Sequence, residues 1–324
     1  MKYEKIELIV QSSETGTIYD ISNICKTINT SKAIDSTAGK CEFSIDTNIH
    51  KISFPMGSSI KFKVDGHGKF FGYIFSMKPS KNELKFTAYD QLRYLRNNES
   101  YVLTNYTATS LIQRICDSFN LRAGTLENTN YRLPERIEDN KALGDIIQTA
   151  LAFTLIGTGR RYIIRDEFGY LCCREVSSLV KKIIIGEKSV LKDYEYDENI
   201  DTETYNQIKL YKDNKDTGKR DVYLVKDSNN QRRWGILQLY ESIDENMNFS
   251  QASEKAHNLL KKHNRVMQKL SLKCDGILDL EVGDGIRLLL TDIPNKTLNE
   301  NVLITKIEDT FKNGLHTMTL EVEI

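Results

Sequence analysis

The sequence predicts an α+β fold, mainly β, in which two β-barrel or sandwich domains are separated by an inserted α+β module. Three observations predict it. A set of strand-like runs near the N-terminus recurs in the same order near the C-terminus. Both end regions show apolar residues with period-two spacing, the mark of half-buried strands. Between them lie two apolar stripes with helical spacing. The C-terminal copy runs Leu270-Ser-Leu272, then Val282-Gly283-Asp284-Gly285 into Ile286–Leu290, then Val302–Ile307, then Met318–Val322. The N-terminal copy runs Phe43-Ser-Ile45, then Met56-Gly57-Ser58-Ser59 into Ile60–Val64, then Phe71–Met77, then Leu84–Ala88. An internal repeat of this kind decides the fold and is weighed before single elements.

Residues 1–97 are expected to form the first β-domain. Ile6–Val10 and Thr17–Ile21 open it, and Gly39–Ile45 adds a strand with Cys41, Phe43 and Ile45 on one face. Asp65-Gly66-His67-Gly68 is expected to be a hairpin turn, because Asp-Gly supplies the positive φ such turns need. Asp90–Arg96 is expected to be a single helical turn. Residues 98–183 are expected to be the inserted module. Thr107 is a helix N-cap, followed by the stripe Ala108, Leu111, Ile112, Ile115, Cys116 and Phe119. Leu143, Ile146, Ile147, Ala150 and Leu151 give a second helix, ended by Gly157-Thr158-Gly159. Arg161–Arg165 and Tyr170–Cys173 flank a hairpin turn at Asp166–Gly169. Residues 184–324 are expected to be the second β-domain. Its strands Tyr205–Tyr211 and Val222–Val225 are joined by a charged loop, Lys212–Arg220. Its one expected helix is Ser250–Arg265, directly before the second copy of the repeat.

The chain has 324 residues, 45 basic and 45 acidic, so its net charge is zero. That balance offers no bulk attraction to nucleic acid or to an anionic membrane. No apolar run reaches the roughly 20 residues of a membrane span. Met1-Lys-Tyr-Glu-Lys5 lacks the apolar core of a signal peptide, so synthesis in the cytosol is expected. The six cysteines are scattered without CxxC spacing, and free buried thiols are expected.

No residue is expected to be catalytic, cofactor-binding or metal-binding. His50, His67, His257, His263 and His316 form no HExxH and sit at no zinc spacing from a cysteine, so they are read as surface or boundary residues. No GxSxG elbow or phosphate loop is present. Asp193, Glu195, Asp197, Glu198, Asp201 and Glu203 read as a solvated acidic loop. Gly283-Asp284-Gly285 reads as a tight turn or bulge. Tyr205, Tyr211, Tyr223 and Tyr240 suit a sheet face or a subunit interface, in preference to base or sugar stacking.

Several stretches together resemble the baseplate hub proteins of contractile phage tails, R-type bacteriocins and defective prophages, in particular the XkdQ/YqbQ-like group related to Mu-type and late-control-protein-D hubs. They are Leu84–Leu95, Tyr106–Ile112, Leu143–Leu151, Tyr162–Leu171, Leu280–Asp284 and His316–Val322. The resemblance spans nearly the whole chain. It implies a structural protein with no enzymatic activity and no cofactor, carrying two tail-tube-like domains. It further implies a homotrimer, a pseudo-six-fold ring joining the six-fold tail tube to the three-fold central spike. Tube protein, spike protein and wedge or LysM-type adaptor proteins are the implied partners. The implied location is the baseplate of the virion or bacteriocin particle, with no membrane and no specific nucleic acid. The alternatives are a tail-associated cell-wall hydrolase or a carbohydrate-binding β-module.

Overall fold

Period-two alternation becomes strand throughout the N-terminal region. The computed structural model describes residues 1–46, 52–214, 218–243, 247–294 and 296–324; His50 and the tip of the 212–220 loop, residues 215–217, lie outside the described residues. The first strands are β1 (Ile6–Gln11), β2 (Ile18–Asp20), β3 (Cys25–Ala33), β4 (Lys40–Asp46), β5 (Ser59–Val64), β6 (His67–Pro79) and β7 (Glu83–Tyr89). In β4, Cys41, Phe43 and Ile45 are buried while their neighbours are half-exposed. β5 and β6 are joined by Asp65 (φ 47) and Gly66 (φ 83), the left-handed pair that a two-residue hairpin demands. Asp90 then caps a 3-10 turn, Gln91–Arg96, by accepting a hydrogen bond from the Leu92 N–H.

The module follows with β8 (Asn98–Leu103), α1 (Ala108–Ser118), β9 (Ala123–Leu126), β10 (Arg136–Ala142), α2 (Leu143–Thr158), β11 (Tyr162–Asp166) and β12 (Leu171–Glu175). Thr107 caps α1, and Gly159 ends α2 in the left-handed conformation (φ 70). The two helical stripes, including Ile112, Ile115, Ile146 and Ile147, share one core with Ile164 and Cys173 of the β11–β12 hairpin. Each such side chain contributes roughly 1.5–3 kcal/mol by leaving water.

After β13 (Val180–Gly186) and β14 (Leu191–Asn199), residues 196–269 form a compact unit of their own. It holds β15 (Gln207–Asn214), β16 (Lys219–Lys226), α3 (Ser228–Trp234), β17 (Gln238–Ser242) and α4 (Phe249–His263). Its sheet runs β16-β15-β17. Ala252 and Ala256 of α4 are buried with Ile208 and Leu210 of β15. Two sequence expectations need correction here. α4 is not the only helix of the region, because Asp227 caps α3 and Gly235 stops it. The acids at 193–198 lie not in a loop but on strand β14.

The chain ends with β18 (Met267–Asp275), β19 (Gly285–Leu290), β20 (Leu298–Lys312) and β21 (Leu315–Glu323). These strands pair in the order β18-β21-β20-β19, as the earlier set pairs in the order β4-β7-β6-β5, and every ladder within either set is antiparallel. The likeness extends to irregularities. The β6–β7 ladder slips between Ile74 and Ser76, and the β20–β21 ladder slips between Ile304 and Lys306. Gly57 (φ 80) donates its N–H to the Ile74 carbonyl at 2.8 Å, and Gly283 (φ 88) donates to the Ile304 carbonyl at 2.8 Å. Ile74 returns a bond to Ser58, and Ile304 returns one to Asp284.

Antiparallel pairing of β20 with β3, from Lys306–Ala33 to Lys312–Thr27, joins the two sets into one sheet. Coiling of that sheet brings Phe62 of β5 within 5.0 Å of Phe311 of β20, ring to ring, although four strands intervene. A single bridge, Lys2–Leu315, brings the N-terminus to β21. Among the described residues no sheet closes through a continuous ladder. No described helix is long and apolar enough to cross a membrane.

Candidate functional site

The seam between β3 and β20 is polar where the cores on either side are apolar. Lys69 on β6 is 3% exposed, Asp309 on β20 is 4% and His316 on β21 is 0%, so this cluster is removed from water. His316 Nε2 lies 2.7 Å from Asp309 Oδ1, and the Thr30 hydroxyl donates to Asp309 Oδ2 at 3.2 Å. The Lys69 ammonium is 3.8 Å from the same oxygen and donates to the Leu278 carbonyl at 3.2 Å. Burial alone would raise the Asp309 carboxyl, but Lys69, His316 and Thr30 together hold it below the ordinary range. The β3 neighbour Lys32 reaches Glu281 at 2.9 Å.

Lys32 also connects the seam to the module. Burial would lower its pKa, but Glu281 and Asp166, followed by Asp90, hold it above the ordinary lysine value. Asp166 sits at the start of the β11–β12 turn, where it accepts the Gly169 N–H at 2.8 Å. Burial pushes Asp166 up to about 6 despite Lys32. Burial and the nearby Asp166 carboxylate push Asp90 well above the ordinary carboxylate range.

The same hairpin packs on both sets of strands. An added Cβ at Gly169 would meet Phe71 at 2.6 Å, and one at Gly283 would meet Ile163 at 2.0 Å. Arg165 donates to Asp284 Oδ1 at 2.9 Å and to the Val282 carbonyl at 3.0 Å. Side chains from β3, β6, the module and the C-terminal strands thus meet in one buried charged junction. Its hydrogen bonds and ion pairs tie these three regions together. Among the described residues no group of three His, Cys, Asp or Glu is arranged to hold a metal.

The YQBQ-like family model matches residues 28–323. The chain belongs to the YQBQ-like family. Two relatives from Bacillus subtilis (strain 168) are the uncharacterized protein YqbQ, 31% identical over 82% of this chain and 81% of its own, and the phage-like element PBSX protein XkdQ, 30% identical over the same shares. Among solved structures, the prophage MuSo2 43 kDa tail protein from Shewanella oneidensis has the same fold at 13% identity, with a TM-score of 0.72 over 98% of both chains. The family match begins at Ile28, within the seam strand β3, and ends at Glu323, in the last strand.

In this family member the histidines read as surface or boundary groups divide. His67 is half-exposed beside Asp279, and His257 and His263 donate from Nδ1 to the backbone carbonyls of Ser253 and Glu203. His316 contradicts the expectation, being fully buried on Asp309. Its signal was legible: His316 shares the inward phase of Met318, Leu320 and Val322. Asp284, read as part of a turn, is in the turn and also binds Arg165. Lys69 and Thr30 carried no sequence signal, since their partners lie more than 200 positions away. The cysteines are all free and, except for half-buried Cys25, buried. In the 196–269 unit, Tyr211 and Tyr240 stack at 4.7 Å, with Arg220 over Tyr211 at 4.5 Å.

Proposed function

We propose that the chain is a structural hub of a contractile-tail baseplate in a phage, prophage or R-type bacteriocin particle. Three copies form a pseudo-six-fold ring that joins the six-fold tail tube to the three-fold central spike, with wedge or LysM-type adaptors at its rim. Segments 1–97 and 184–324 supply the two ring elements of each copy, and 98–183 is the module between them. The observation that carries this reading is the duplicated four-strand set, matched down to its bulge and its left-handed glycine. A chain holding two similar units lets three subunits present six similar faces, because repeated heterologous contacts close into a ring. The names of the PBSX and MuSo2 proteins support the tail context. In this role the buried junction sets the angle between the two units, and the protein catalyses no reaction.

The test is mass photometry and cryo-microscopy of the purified chain, alone and with tube and spike proteins. Three-fold particles with a central channel are expected. Monomers or two-fold dimers under every condition would refute the reading. Loss of turbidity on purified peptidoglycan would favour a hydrolase instead.

A further inference from the structure

The internal seam has an unfilled counterpart. Within the chain, β20 is longer than its ladder with β19 requires. Residues 298–303 pair β19, and residues 306–312, on the same edge, pair β3. β6 is built in the same way. Residues 67–73 pair β5, and residues 73–79 pair β7 on the opposite edge. On the β5 side, Phe75–Lys78 has no strand partner among the described residues. The bulge matches Phe75 to Thr305, whose carbonyl accepts the Ile34 N–H at 2.9 Å in the seam.

The other half of the seam also has a counterpart. β3 lies beside β4 and offers its outer edge to β20; β14 lies beside β18, the partner of β4 in the repeat, and ends the strand order. Among the described residues two complementary edges are therefore without a strand partner, one on each repeated unit.

We propose that β6 of one copy, over Phe75–Lys78, pairs antiparallel with the outer edge of β14 in a second copy, repeating the β20–β3 seam between chains. This inference rests on the ring reading and names its subunit contact. Charge favours the match. The β6–β7 tip carries exposed Lys78 and Lys81, whereas β14 carries Asp193, Glu195, Asp197 and Glu198. Asp193 and Glu195 reach Lys273 within its own chain, at 3.2 and 3.1 Å, yet remain 60% and 73% exposed. Pro79 has no N–H to donate, so the ladder ends at Lys78 and is shorter than the seven-pair internal seam. Edge-to-edge pairing supplies backbone hydrogen bonds, and opposite charges set the register.

The experiment uses the full chain as an equal mixture of unlabelled and 15N-labelled protein, treated with a zero-length carbodiimide cross-linker. Cross-links from Lys78 or Lys81 to Asp193, Glu195 or Asp197 that join light to heavy chains are expected. A second measurement uses the exposed double variant Lys78→Glu/Lys81→Glu. Its self-association should weaken at least about tenfold, since like charges would face each other across the contact, with its thermal midpoint unchanged. Three-fold particles whose cross-links from these lysines map elsewhere, or whose assembly ignores the double variant, would overturn the seam and leave the ring reading standing. Absence of any three-fold particle would overturn both.

Discussion

The two four-strand sets share strand order, bulge and glycine, and differ in what surrounds them. On the outer side of β5 lies β1, antiparallel; on the outer side of β19 lies β13, parallel. Between β3 and β4 the chain makes a short connection, whereas between β14 and β18 it makes the whole 196–269 unit. After the left-handed glycine, the first set has Ser58, whose hydroxyl donates to the Pro55 carbonyl; the second has Asp284, which binds Arg165 of the module. The lesson is that one β-unit serves twice because its ladder is self-sufficient, while its turns and edges are free to acquire partners. The second turn binds the module through Asp284, whereas the first turn, at Ser58, is bonded only locally.

Six substitutions and one pH series probe that asymmetry. The largest effect is expected at the seam. Lys69→Ala removes the buried ammonium beside the Asp309 carboxylate, which keeps only Thr30 and His316, and should cost about 3–5 kcal/mol in urea unfolding, the range for breaking a buried ion pair. An effect below about 1 kcal/mol would mean that the junction does not tie the three regions together. Next, Asp284→Ala takes one buried carboxylate partner from Arg165, leaving it Glu167 and the Val282 carbonyl, and removes the acceptor of the Glu281 N–H; it should cost about 3 kcal/mol. The matched change Ser58→Ala should cost about 1 kcal/mol, the net worth of one neutral hydrogen bond. Equal losses would erase the distinction between the two turns.

The glycines sharpen it further. Both need positive φ, so each alanine variant bears about 1 kcal/mol of backbone strain. At Gly57 the nearest foreign atom is 3.9 Å from the added Cβ, but at Gly283 it is Ile163 Cδ1 at 2.0 Å. Gly283→Ala should therefore unfold at lower urea than Gly57→Ala, by about 1–2 kcal/mol more.

A further expected effect is pH dependence at the module side of the junction. Asp166 is raised from its ordinary value to about 6. A raised carboxyl binds more protons folded than unfolded, so its contribution is fully present below the ordinary aspartate range and is lost as pH rises through about 6. Stability attributable to Asp166 should fall by on the order of 1–2 kcal/mol between pH 4 and 7. Asp166→Asn, which keeps the acceptor for Gly169, should flatten that slope in pH-resolved denaturation. A wild-type slope unchanged by the variant would remove Asp166 as its source.

The strands that repeat were legible because their apolar residues alternate over one buried face, as in β4, β5 and β21. The helices α1 and α2 were legible from their stripes and from Thr107 and Gly159. β3 was not, because Cys25–Ala33 has little apolar content and is held in place by β4 on one edge and β20 on the other. β14 was hidden by its acids, which face solvent while its backbone pairs with β18. α3 has no buried residue at all, so its cap and stop define it without a stripe. The junction itself was the least legible part. Lys69, Asp309 and Lys32 are each unremarkable in sequence, only His316 shows an inward phase, and the four become a site only when β20 crosses to β3.

The central claim is that the two four-strand sets are equivalent elements of one ring. A cryo-microscopy map of the chain assembled with its tube and spike proteins tests it most directly. The account predicts three subunits in which the β4–β7 and β18–β21 sets alternate at one radius, about 60° apart. A map placing the two sets at different radii, or in a two-fold particle, would contradict it.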